Sequence, residues 1–237
     1  MSKARRSRVP AIDALRGLAI LAMVAYHFCF DLRYYGLIRA DFENDPFWLG
    51  ARALILTSFM LLVGMSLVLA RRSGATRDAF WRRLALIAAC ALAVSAGSYL
   101  MFPGRFIYFG VLHCIAVAIL LAAPFVTRPR TALVGGLAII VAGVSFAHPA
   151  FDARALSWLG FTTMKPPTED FVPLAPWSGL VFVGIALAHA LTRVDFRPIA
   201  PLARLPRATQ WLGRHSLAIY MIHQPILLGV LWVIVRH

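Results

Sequence analysis

Arg16 and His27 lie eleven residues apart in the first apolar stretch of the chain. Eleven residues is close to three turns of α-helix, so both side chains leave one face, about 16 Å apart along the axis. A cation and an imidazole are costly inside a segment fit to cross a bilayer, and by default they mark a functional site. The pair suggests an anion held by Arg16 near one membrane face, with proton chemistry at His27 deeper in. Asp31 follows His27 by one turn, where a carboxylate can orient and charge-stabilise the ring of a general base. Its competing role is that of an interfacial residue in water, beside Arg33. Asp13 precedes Arg16 by three residues, as a structural ion pair at the helix start or as the group that orients a phosphate-gripping guanidinium. Arg52 is a further charge in need of a partner, with Asp31 or Asp45 as candidates, and reads as structural.

A second polar set lies near the end of the chain. Ser216, Tyr220 and His223 follow i, i+4, i+7 and line one helix face, with Gln224 and Pro225 next. Pro225 frees the carbonyl of Met221, which a membrane helix tolerates where it faces protein or a cavity. His113 is the third intramembrane imidazole. His27, His113 and His223 are therefore candidates for one proton-handling centre. The competing role for His113 and His223 is that of core histidines bonded to a backbone carbonyl or a neighbouring serine.

These residues need elements to hold them. The chain has 237 residues, of which 60% are hydrophobic and 14% charged, with a mean hydropathy of +0.75. A water-soluble domain would not carry that excess, so an all-α integral membrane bundle is expected. Apolar runs fit to span fall at 11–32, 47–70, 84–102, 106–126, 131–147, 171–191 and 212–235, about seven spans, of which the fifth is short and Gly-rich. The first run carries Asp13 and Arg16 and lacks a small-residue cleavage pattern, so no cleavable signal is expected.

The net charge of +14 could suggest nucleic acid, but its placement argues for topology instead. With a cytoplasmic N-terminus, the inside segments hold Lys3, Arg5, Arg6, Arg8, the arginines of 71–83, Arg128, Arg130 and those of 193–214. The acids Asp41, Glu43, Asp45, Asp152, Glu169 and Asp170 fall outside. This is the positive-inside pattern, and with an odd span count it predicts N-in, C-out. On that topology His27 and His113 lie in the outer halves of their spans and His223 near the middle of the last. No nucleic-acid partner is expected; membrane lipids are.

A single multi-pass domain over 1–237 is expected, with two loops of note. The outer loop 149–170 could cover an outward-facing opening. The inner stretch 193–213, with Pro198, Pro201 and Pro206 among its arginines, reads as short interfacial turns. Cys29, Cys90 and Cys114 lie within spans, form no Cys-x-x-Cys pair and read as packing residues, so no metal is expected.

The stretch Ile12-Asp13-Ala14-Leu15-Arg16-Gly17-Leu18-Ala19-Ile20, continuing to Tyr26-His27, resembles the opening helix of membrane-embedded acyltransferases, with a basic residue, ten others, then histidine. Phe109-Gly110-Val111-Leu112-His113 and Leu212-Gly213-Arg214-His215-Ser216-Leu217-Ala218-Ile219-Tyr220 with His223-Gln224-Pro225 are similar to the small bacterial proteins classed with the catalytic domain of heparan-α-glucosaminide N-acetyltransferase. The resemblance implies acyl transfer from cytoplasmic acyl-CoA, acetyl-CoA first, to a hydroxyl or amine at the outer side of the cell (inner) membrane, on a glycan or lipid-linked sugar. It matches Arg16 to the cofactor-side basic residue and His27 to the catalytic histidine. The larger bacterial acyltransferases have about ten spans, so a seven-span chain leaves room for a homodimer or a partner.

The expected roles follow. His27 acts as base or acyl carrier and Asp31 orients it. His113 and His223 share the site, and Arg16 holds the phosphate end of acyl-CoA. The competing classes are a proton-coupled transporter or channel using a histidine relay, and a non-catalytic membrane scaffold.

Overall fold

In the computed structural model, which describes residues 8–236, the described residues form helices and no strands. Lys3, Arg5 and Arg6, counted above among the inside charges, lie outside the described residues. The long helices start and stop where local chemistry dictates. α1 (Pro10–Tyr34) opens on a proline, whose missing N–H costs nothing in the first turn. It ends at Gly36, whose φ of +73° favours a residue without Cβ. α2 (Pro46–Arg72) ends the same way at Gly74, also at +73°. α3 (Arg77–Met101) is capped by Thr76, whose side chain accepts the Ala79 N–H at 3.2 Å.

α4 (Val111–Ala122), α5 (Pro129–Ser145), the single turn α6 (Arg154–Ser157) and α7 (Leu174–Arg193) follow. α8 (Arg207–Arg214) and α9 (Ser216–Arg236) close the chain. Among the described residues, five helices are long and apolar enough to cross a membrane: α1, α2, α3, α7 and, in α9, Ser216–Val235. The expected fourth and fifth spans are shorter helical stretches, Val111–Phe125 and Pro129–Ser145. The fourth starts later than the apolar run because Pro103–Arg105 form a 3-10 turn and the chain stays non-helical to Gly110.

Two compact units divide the chain, with the boundary inside α2 between Phe59 and Met60. In the unit covering 60–195, α7 packs against α5 and α4, and α3 packs against α4. Small residues set these approaches. A Cβ on Gly136 would stand 2.6 Å from the Gly179 carbonyl oxygen, and one on Gly143 would stand 2.7 Å from the Pro176 nitrogen. Such contacts let backbones meet where lipid offers no hydrophobic drive for helix pairing.

The loop between α5 and α7 is tied down. Asp152 accepts from the Thr163 backbone N–H at 2.7 Å and from its hydroxyl at 2.5 Å. Those bonds hold its carboxyl below the ordinary carboxylate range. Arg105 pairs with Glu169 at 2.9 Å, and the Arg154 guanidinium lies over the Phe106 and Tyr108 rings at 4.4 and 4.9 Å.

In the second unit, residues 7–59 and 196–237, α1 packs against α8, α9 and the 3-10 stretch Arg197–Arg204. The expectation of interfacial turns over 193–213 needs correcting here. Three prolines stop a long helix but leave room for short ones, and α8 seats its buried Thr209 and Gly213 directly on α1. A side chain on Gly17 would strike the Thr209 carbonyl, and one on Gly213 would strike the Asp13 carbonyl. The expected last span is broken at His215, whose N–H reaches back to the Trp211 and Leu212 carbonyls before α9 begins.

Candidate functional site

α1 and α9 bring two of the three candidate histidines together. The His27 and His223 rings meet edge to face, with centroids 5.0 Å apart. His223 is anchored, since its Nδ1 lies 2.6 Å from the Tyr220 carbonyl oxygen. A carbonyl can only accept, so Nδ1 carries the hydrogen and the Nε2 of the neutral ring carries the lone pair. The His27 ring is half-buried and makes no hydrogen bond to the described residues. It lies edge to face with Tyr26, whose ring also meets Phe42 and Trp48 at 5.4 and 5.8 Å. Arg52, from the first part of α2, lies within electrostatic range of His27.

The expected bond between His27 and Asp31 is not formed. Asp31 Oδ1 instead accepts from Gln224 Nε2 at 2.8 Å. One helical turn separates His27 from Asp31, but the carboxylate faces α9, where an amide donor stands opposite. Asp45 caps α2, accepting the Phe47 N–H at 2.8 Å. Sequence reasoning missed Gln224 as the partner of Asp31. The available signal was that a carboxylate within a span needs a donor, and Gln224 is an amide beside a candidate histidine in another span.

Arg16 and Asp13 form the expected i, i+3 pair at 3.1 Å, with the side chains 20% and 16% exposed. The pair sits in the turn where α8 crosses α1, because Gly213 abuts the Asp13 carbonyl and the Gly17 nitrogen. The guanidinium is therefore held at the same end of α1 as the crossing, three turns from His27.

His113 belongs to the other unit, and its bonding differs. Its Nδ1 accepts the Gly110 N–H at 3.2 Å, which closes the first turn of α4. Its Nε2 lies 3.2 Å from Ser95 Oγ, and that hydroxyl donates to the Ile107 carbonyl at 2.6 Å. With Nδ1 accepting, Nε2–H donates to Ser95, and both ring nitrogens are used. Ser95 is thereby no activated nucleophile, because its proton goes to a carbonyl and not to the ring. Asp170 adds a second cap to α4, accepting the Val111 N–H at 3.3 Å.

The cysteines are free thiols, and Cys114 is buried. Among the described residues, no three His, Cys, Asp or Glu side chains group as metal ligands.

Searches of curated proteins and of solved structures return no match to this chain. A family profile described as heparan-alpha-glucosaminide N-acetyltransferase, catalytic, matches residues 8–225 and so takes in both units. Together with its long apolar helices, this makes the chain a membrane protein that belongs to the heparan-alpha-glucosaminide N-acetyltransferase catalytic family.

Proposed function

We propose that this chain is a membrane acyltransferase that moves an acyl group, acetyl first, from cytoplasmic acyl-CoA to a hydroxyl or amine at the outer side of the cell membrane. The observation that carries the reading is the His27–His223 pair on two apolar helices of a chain in an acetyltransferase family. In this reading α4 and α5 complete seven crossings and the N-terminus is cytoplasmic, on the strength of the charge asymmetry.

His27 is the base. Its ring is bound to nothing that would have to be given up, whereas His223 is already tied to Tyr220. His27 takes the proton from the acceptor O–H or N–H as the oxygen or nitrogen attacks the thioester carbonyl. The carbon–sulfur bond breaks, the new C–O or C–N bond forms, and His27 returns the proton to the departing thiolate. His223 faces His27 as a fixed dipole that limits the ring's rotation.

Arg16 fits the phosphate end of acyl-CoA. It is a partly buried guanidinium pre-oriented by Asp13, on the His27 face of α1 and about 16 Å away, a span that suits a pantetheine arm lying along the helix.

Purified protein in lipid vesicles, given acetyl-CoA and membrane glycan and lipid fractions, should release free thiol only when an acceptor is present. Proton flux without acceptor or thiol release would favour a transporter and overturn the reading.

A further inference from the structure

Three contacts at successive levels join α1 to α9. The His27 and His223 rings meet at 5.0 Å, Asp31 Oδ1 accepts from Gln224 Nε2 at 2.8 Å, and the Tyr35 hydroxyl donates to the Leu228 carbonyl at 3.4 Å. His27, Asp31 and Tyr35 follow one another at four-residue steps, so each contact lies about one turn beyond the last. The middle contact is unfinished. Asp31 is 1% exposed, and Gln224 is its one hydrogen-bond or ion-pair partner among the described residues. The second oxygen of each group, Asp31 Oδ2 and Gln224 Oε1, is buried without a hydrogen-bond partner among the described residues.

An ionised Asp31 would be a buried charge held by a single neutral amide. Burial of a charge without a counter-charge is costly enough that a side chain so placed takes up a proton instead. Oδ2 and Oε1 belong to two planar groups already joined through their other atoms. A hydrogen on Oδ2 turns one unmatched acceptor into a donor, and Oε1 of the same amide is an acceptor in need of one. One hydrogen thus relieves two of the three unmatched atoms on these helices. The third, His223 Nε2, stays open beside His27.

We propose that Asp31 is a neutral carboxylic acid clasped to Gln224 by two hydrogen bonds, Nε2–H to Oδ1 and Oδ2–H to Oε1, and that this clasp positions His223 against His27. The positioning role rests on the acyl-transfer reading; the protonated carboxyl rests on burial and the unmatched oxygens alone. Two parallel bonds between planar groups fix orientation as well as distance. Gln224 directly follows His223, so the rotation of α9 that seats the amide also sets the direction of the imidazole. Asp31 therefore acts on the base through α9, as a positioning residue, and not as its charged orienter.

The test uses the full chain in lipid vesicles at neutral pH. The infrared difference between the parent chain and Asp31→Asn should show the loss of a protonated-carboxyl C=O stretch that shifts in heavy water. Loss of a carboxylate stretch in its place overturns the clasp.

Asp31→Asn keeps a planar group with one donor and one acceptor. Its kcat for thiol release from acetyl-CoA should stay within threefold of the parent, with the melting midpoint unchanged. Asp31→Ala and Gln224→Leu open the clasp. In both, kcat should fall by about tenfold or more, since small misplacements of reacting groups cost that much, while KM for acetyl-CoA changes less than threefold.

Full kcat in folded Asp31→Ala overturns the positioning role. So does lost turnover in folded Asp31→Asn, because that assigns the carboxyl's own proton to the chemistry. Where Asp31→Ala does not fold, the infrared band and the Asp31→Asn rescue decide. A protonated-carboxyl band in a chain that releases no thiol keeps the clasp and removes acyl transfer. Thiol release with a carboxylate band does the reverse.

Discussion

His113 and the His27–His223 pair put the same side chain to opposite uses. His113 spends both ring nitrogens on its surroundings, one on the Gly110 N–H and one on Ser95. His223 spends one nitrogen and keeps the other buried and unmatched, while His27 spends neither. A ring with both nitrogens engaged can only exchange protons by breaking the fold around it. A ring held at one nitrogen, or at none, can accept a proton without breaking a hydrogen bond of the fold. Hydrogen-bond use, more than burial, separates a histidine that builds a helix start from one available for chemistry.

The largest expected effect tests the open side of that contrast. His27→Ala should lower acyl transfer by about 100-fold or more, the usual range for loss of a general base, with membrane insertion intact. Full activity in the purified variant would remove His27 from the chemistry.

Arg16 stands between these cases, a partly buried guanidinium paired with Asp13 at 3.1 Å. Arg16→Lys keeps the charge but loses the planar fork, and acyl-CoA affinity should fall by roughly tenfold. Unchanged affinity in Arg16→Ala would make Arg16 a structural partner of Asp13 alone.

His113→Ala tests the committed side. It removes the acceptor for Gly110 and the donor to Ser95, so stability should fall by about 1–2 kcal/mol, seen as a lower melting midpoint. The fall in stability should exceed any fall in kcat. A large kcat loss at an unchanged midpoint would place His113 with the open group.

Asp152 gives the smallest effect and sharpens the same contrast outside the spans. Its carboxyl is held below the ordinary range because Thr163 donates to it twice. The sign follows from that direction. The contribution is present above the ordinary carboxylate pKa and fades as pH falls through the lowered folded value. Hydrogen exchange in the 149–163 loop should therefore speed up on acidification, and Asp152→Asn should remove most of that pH dependence.

Much of this molecule was legible in the order of its residues. The helices, their apolar runs, the Asp13–Arg16 pair and the common face of Arg16 and His27 all follow from local periodicity. So does the division of charge along the chain. These features depend on neighbours a few positions away, and helix geometry alone relates them.

The partner of each polar group was a different matter. His27 and His223 are 196 positions apart. Whether Asp31 turned to His27 on its own helix or to Gln224 on α9 depended on how α9 is rotated against α1. Nothing local encodes that rotation or its register. The close crossing of α1 and α8 supplies it, with Gly17 against Thr209 and Gly213 against Asp13, followed by the break at His215 that starts α9. A glycine in a sequence announces room, but only the packed helices show which backbone fills it, and that contact decided which histidine was left open.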